Sequence, residues 1–329
     1  RTLAALAAAG LIFVAALLLA TTPPDALTAL DPKAVTRYNF IAGAIGIVSA
    51  LLVTATSVVM TRKHSGASGV ALAHTVPLLT AAAALRLSQS HWDTAGWGWT
   101  GLGLLIGALA VLTLPKRYRI SIAAPLVVGT VLAATGLLVR LGQLSQAGVS
   151  AILFALIIVL LQVAPWIALA PIPVRILDAD TIEQIPAKGI TDQVSNSFVF
   201  VVALRSGGAI AAIFLTISLM TAPEMRSVSL PLTLLTLGAV SLVLQTRSIR
   251  ARVEVLLGAL SGLIVILVAT VLGAYADPRT MPWLTLSAIA TALVLVITNV
   301  VGPRARPHLT RIADTISVLS LFVLLPLAV

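Results

Sequence analysis

Residues 148–170 read GVSAILFALIIVLLQVAPWIALA, 23 consecutive positions without a charge. As an α-helix such a run is about 34 Å long, enough to cross the roughly 30 Å hydrocarbon layer of a bilayer. It lacks the period-2 alternation of a barrel strand, so its backbone must pair within a helix. The rest of the chain repeats the pattern. Hydrophobic residues fill 59% of the 329 positions, charged residues only 10%, and mean hydropathy is +1.08. That composition cannot supply the polar surface of a water-soluble domain. The chain therefore reads as an all-α, polytopic integral membrane protein.

Candidate spans cover residues 3–20, 40–60, 68–87, 97–115, 121–139, 148–170, 198–220, 229–246, 253–275, 282–302 and 312–329, about eleven transmembrane helices. Connections are short except 21–39 and 171–197, so residues 1–329 read as a single transmembrane domain with a cytosolic loop at 171–197. There is no initiator methionine before Arg1 and the last apolar run reaches Val329, so the chain is expected to be a fragment.

The net charge of +10 would suggest nucleic acid in a soluble protein. Here the basic residues form short clusters between apolar runs, as in cytoplasmic loops facing anionic lipid. Membrane lipid is thus the expected partner, and no nucleic acid. With the N-terminus cytoplasmic, fifteen of the 21 Lys and Arg fall at inside ends. Only Lys33, Arg37, Arg86, Arg140, Arg226 and Arg279 fall outside. The positive-inside rule then puts the C-terminus outside. Trp92, Trp97 and Trp99 cluster at the outer entrance of the fourth span and Trp283 at that of the tenth, where indoles anchor in headgroups. Arg86 in LRLSQS (85–90) and Arg140 in VRLGQLSQ (139–146) are expected to snorkel toward the same layer.

Reactive groups are sparse. The eleven acids all lie in connections or in the first turn or so of a span, which counts against a proton- or sodium-coupled carrier. Cysteine is absent, so thiolate metal sites and cysteine nucleophiles are excluded. His74 stands alone in the third span, three residues before Pro77, and a hydrogen bond to a neighbouring helix is its expected role. The same is expected of Gln162 and Asn299. Pro23-Pro24-Asp25 reads as a turn as readily as an acidic site in the first outer loop. No catalytic, cofactor or metal residue is assigned.

Packing signals are clearer. Gly103 and Gly107 form GxxxG in the fourth span, as do Gly258 and Gly262 in the ninth, and missing β-carbons let helix backbones approach closely. Pro77, Pro125, Pro165 and Pro326 are expected to kink or loosen their helices. The connection 171–197 carries four acids and is stiffened by Pro171 and Pro173. Arg175, Asp178, Asp180, Glu183 and Lys188 mark it as a candidate docking loop for a basic cytosolic partner. Residues 190–205 are expected to skim the membrane surface, leaving Arg205 at the inner boundary.

Three features together resemble a known family. They are the topology of eleven spans with the N-terminus inside, the sequence ALAPIPVR from Ala168 to Arg175 with its proline-punctuated continuation, and the final stretch RIADTISVLSLFVLLPLAV from Arg311 to Val329. The pattern is similar to EccD, the polytopic component of the type VII (ESX) secretion membrane complex of mycobacteria and relatives. The resemblance implies a ubiquitin-like cytosolic domain before Arg1, pairing with a second copy, and association with EccB, EccE and the EccC ATPase. It also implies paired helical bundles around a lipid-filled space, in the bacterial inner membrane, and no catalytic residue. The leading expectation is a non-enzymatic scaffold or vestibule subunit for protein export. A small-molecule or lipid permease is the alternative, and a lipid-linked glycosyltransferase a third.

Overall fold

The computed structural model describes residues 8–12, 14–16, 20, 32–63, 66–88, 94–112, 114, 122–169, 187–224, 228–245, 252–300, 315, 318–320, 322–324 and 326–328. Among these residues there is no strand. The long helices are α1 (Pro32–Lys63), α2 (Gly66–Ala73), α3 (Val76–Leu87), α4 (Thr94–Val111), α5 (Ala123–Leu141), α6 (Gln146–Leu169), α7 (Ala187–Met220), α8 (Ser229–Gln245), α9 (Arg252–Ala276) and α10 (Met281–Val300). Among the described residues, six stretches are long and apolar enough to cross a bilayer: Ala34–Arg62, Ser68–Leu87, Ala123–Leu141, Gln146–Pro165, Ser195–Met220 and Val255–Ala276.

Two helices start well before their apolar runs. Pro32 opens α1, where its fixed φ suits the first turn and its missing N–H costs nothing. Lys33, Thr36, Arg37 and Asn39 lower local hydropathy without breaking a helix, so the helix begins eight residues ahead of the expected 40. Likewise α7 begins at Ala187, inside the expected 171–197 loop, and runs unbroken for 34 residues. Residues 190–205, expected as a helix that skims the membrane surface, belong to the same continuous helix as the apolar stretch that follows.

The third expected span is broken in two. Pro77 has no N–H to offer the carbonyl four residues back, and α2 ends at Ala73 while α3 starts at Val76. Just before the gap, Val70 O and Leu72 O each accept a side chain in addition to a backbone N–H. His74 Nδ1 donates to Val70 O at 2.7 Å, and Thr75 Oγ1 donates to Leu72 O at 2.7 Å. The expected bond from His74 to a neighbouring helix is thus replaced by one back to the carbonyl four residues earlier in its own helix. By contrast α6 stays helical through Pro165, and Pro125 lies in the first turn of α5, where no intrahelical donor is lost.

The chain forms two compact units, Arg1–Leu144 and Ser145–Val329. In the first, α1 packs on α2 and α3, α3 on α4, and α4 on α5. Glycines set these approaches. A Cβ on Gly46 would meet Ala83 Cβ at 2.9 Å, tying α1 to α3. On α4, a Cβ at Gly103 would lie 2.7 Å from Ala81 Cα, and one at Gly107 2.5 Å from Pro77 Cα, both on α3. Gly98 and Gly101 serve the α5 side, meeting Gly136 Cα at 3.2 Å and Ala133 Cα at 2.8 Å. Helix α4 is thus gripped by backbone on both sides.

In the second unit α6 packs on α7, α7 on α9, and α9 on α8 and α10. Here glycines receive side chains: Gly208 faces Leu161, and Gly238 faces the ring of Phe154. Buried hydroxyls and an amide add cross-helix hydrogen bonds. Gln146 Nε2 donates to Ser218 O at 2.8 Å, and Ser150 and Ser218 share a 2.7 Å Oγ–Oγ bond. Ser218 is two residues from the end of α7, so Gln146 supplies a donor to a carbonyl in the last turn, where the helix ladder runs out. Ser241 on α8 pairs in the same way with Ser320, at 2.7 Å.

Large apolar side chains are exposed on three helices: Phe40, Ile45, Leu51 and Leu52 on α1, Leu256, Leu260, Leu263 and Leu267 on α9, and Leu286, Ile289 and Leu293 on α10. Lipid tails solvate such faces at no cost, so nothing drives these surfaces together on hydrophobic grounds.

Gly101→Leu or Gly107→Leu, which drive side-chain atoms into backbone, should lower thermal stability in detergent by roughly 1–3 kcal/mol. Gly10→Leu, with nothing within 4 Å of its Cβ position, should leave the melting temperature unchanged. Gln146→Leu and Ser150→Ala should each cost about 0.6–1.7 kcal/mol in the same assay. Equal losses at Gly10 and Gly107 would show that the seams are not what holds the helices.

Candidate assembly site

No group of three or more His, Asp or Glu that could hold a metal occurs among the described residues. Among the described residues, none of the six stretches long and apolar enough to cross a bilayer contains Asp or Glu. Asp192 and Glu254 precede the apolar stretches Ser195–Met220 and Val255–Ala276, and Glu224 and Asp277 lie beyond the ends of α7 and α9. What the spans do bury is two arginines.

Arg86 is only 7% exposed and donates from Nη1 to Asn39 Oδ1 at 3.4 Å, joining the end of α3 to α1. It does not snorkel as expected, because α1 extends past the end of α3 and offers Asn39 as an acceptor. Arg140, at the matching end of α5, is exposed. Arg205 is also 7% exposed, ten residues inside the span Ser195–Met220. Expected to snorkel unburied at the inner boundary, it is instead buried among neighbouring helices, about five residues past the level of the α6 end. Trp97 is likewise buried, at 7% exposure, whereas Trp99 and Trp283 are exposed at 43% and 66%. Trp92 lies outside the described residues. Gln162 does not bond across helices through its amide nitrogen, which is buried without a hydrogen-bond partner among the described residues.

The glycine pairs are placed unequally. Gly103 and Gly107 both lie against α3. Gly262 approaches α8, where a Cβ would come within 2.8 Å of Ala239 O, while Gly258 is half-buried and its carbonyl accepts the Ser261 hydroxyl at 3.0 Å. Of the candidate docking residues, Arg175, Asp178, Asp180 and Glu183 lie outside the described residues, and Lys188 belongs to the first turn of α7. Asn299 falls within α10.

The geometry of α7 defines the most distinctive surface. Ser218 pairs with Ser150, and Gly208 abuts Leu161. That antiparallel register sets Leu169, the last residue of α6, level with about residue 200. The first thirteen or so residues of α7 therefore extend past α6 by about 20 Å. Burial follows the same line, with Ser195, Asn196, Phe198 and Val199 exposed and Val201 onward mostly buried. Hydropathy alone missed this stalk, since its residues are polar; the absence of glycine pairs or proline between Ile190 and Phe200 was the available signal.

Comparison with known proteins agrees with this architecture. No curated protein sequence matches the chain. Among solved structures, protomer 1 of the ESX-3 core complex is similar with a TM-score of 0.71 and 18% identity, over 99% of this chain and 73% of that one. A chain of the MycP5-free ESX-5 inner membrane complex, State II, is similar with a TM-score of 0.61 and 16% identity, over 90% of this chain and 69% of that one. At these identities the likeness is one of fold. The EccD-like transmembrane domain model matches residues 1–329, the full length of the chain, and the chain therefore belongs to the EccD family.

Proposed function

We infer that this multi-pass membrane protein is a structural subunit of a type VII secretion complex in the bacterial inner membrane. The observation that carries the reading is the family match over all 329 residues, joined to a fold shared with chains of two ESX membrane complexes. The chemistry of the helices supports a scaffold. Among the described residues, small residues are spent on internal seams, exposed faces carry large apolar side chains, and none of the six long apolar stretches holds a carboxylate for a proton or cation. The chain is read as non-catalytic, crossing about eleven times with its N-terminus inside and C-terminus outside.

The finer assembly follows the same reading. Two copies would enclose a lipid-filled vestibule, and EccB, EccE and the EccC ATPase would gather around them, with energy supplied by the ATPase. The stalk of α7, with the 171–197 connection that leads into it, offers a rigid handle about 20 Å long on the cytosolic side. Asp178, Asp180 and Glu183 would meet a basic surface there.

A permease remains the competing class, and the broken α2–α3 helix with buried Arg205 is the feature that favours it, since interrupted helices and intramembrane charge mark many transport sites. Native-state mass of the detergent-extracted protein separates the two. The scaffold reading predicts co-purification with an ATPase and further membrane subunits. Extraction alone or as a small homo-oligomer, with transport by proteoliposomes holding only this chain, would sink it. Charge reversal at Asp178, Asp180 and Glu183 is expected to weaken complex recovery several-fold while the melting temperature holds. Undiminished recovery would remove the docking role from the loop and leave the scaffold reading standing.

A further inference from the structure

The α9–α10 hairpin closes through a 3-10 turn at Pro278–Thr280, and its tip has an unusual exposed surface. Tyr275 is 91% exposed, Trp283 66% and Met281 48%. Arg279, also exposed, stands in the turn between them. The turn's own polar groups are already engaged. Asp277 Oδ1 accepts the Arg279 N–H at 3.0 Å, and the Thr280 hydroxyl donates to Asp277 O at 2.6 Å. Asp277 Oδ1 is thus engaged by the backbone of the turn, while the Arg279 side chain is exposed at the tip.

Depth follows from the chain itself. The apolar stretch Val255–Ala276 ends one residue after Tyr275, and α10 begins at Met281, two residues before Trp283. Both amphipathic rings therefore lie where hydrocarbon gives way to headgroups, with Arg279 just beyond. At that level the abundant acceptor is phosphate. A guanidinium meets it with two parallel N–H donors, while the phenol and indole present their polar atoms to the same layer.

We propose that the α9–α10 tip is a phospholipid-headgroup seat, in which Arg279 takes the phosphate between Tyr275 and Trp283 and prefers anionic lipid. The seat goes beyond a single indole anchor because the cation and the second aromatic give it a ligand. It depends only on the hairpin crossing a bilayer and holds whether the whole chain is a scaffold or a permease.

The 329 residues contain no cysteine, so Met281→Cys gives a single labelling position beside the seat. In reconstituted vesicles a nitroxide there should report headgroup depth, reached by both oxygen and a water-soluble nickel chelate. A bimane at the same position should be quenched by headgroup-labelled phosphatidylglycerol with about fivefold preference over phosphatidylcholine. Arg279→Gln should abolish that preference and leave the depth unchanged. Added inorganic phosphate should leave it in place. Full aqueous accessibility, spin coupling between two copies at the tip, a preference that is absent or survives Arg279→Gln, or its loss to inorganic phosphate would each overturn the proposal.

Discussion

Close backbone approach at glycine governs this structure. In lipid there is no hydrophobic gain in bringing apolar helices together, so contact must come from dispersion between well-fitted surfaces and from the few polar groups that bond across them. The α3–α4–α5 seam shows the rule. Gly103 and Gly107 turn one side of α4 to α3, Gly98 and Gly101 turn the other to α5, and an added Cβ would strike main chain at Gly101, Gly103 and Gly107 and crowd it at Gly98. In the second unit the same freedom is used to admit large side chains, Leu161 beside Gly208 and Phe154 beside Gly238. The Gln146–Ser218 and Ser150–Ser218 bonds then fix the end of α7 against the start of α6.

The outer faces are the complement of those seams. Helices that spend glycine and alanine inward have leucine, isoleucine and valine left for the outside, which suits lipid better than another helix. Membership in the EccD family gives these surfaces their context. Among the described residues, the stalk of α7 runs past Leu169, the last residue of α6.

Apolar length was readable from the residues, and polar geometry was not. The runs at 148–170, 229–246 and 253–275 became α6, α8 and α9 nearly end for end, because apolar runs of that length have one solution in a bilayer. The starts of α1 and α7 were missed because Lys33, Arg37, Asp192 and Asn196 depress hydropathy while leaving helix formation intact. Pro77 signalled a disturbance, and the structure turns it into a break. The buried places of Arg86, Arg205 and Trp97 could not be read from position near a span end, since each depends on which neighbouring helix runs past it. Pairings such as Gln146 with Ser218, 72 residues apart, leave no local trace.

The seam between α4 and α5 is the most direct measure of whether backbone fit holds this molecule together. Solid-state NMR of the isotopically labelled chain in bilayers should show a short-range Cα–Cα cross-peak between Gly98 and Gly136, as the structure's near-contact requires. Its absence in spectra that resolve both glycines would mean that the helices stand apart, and that something other than close backbone approach sets the fold.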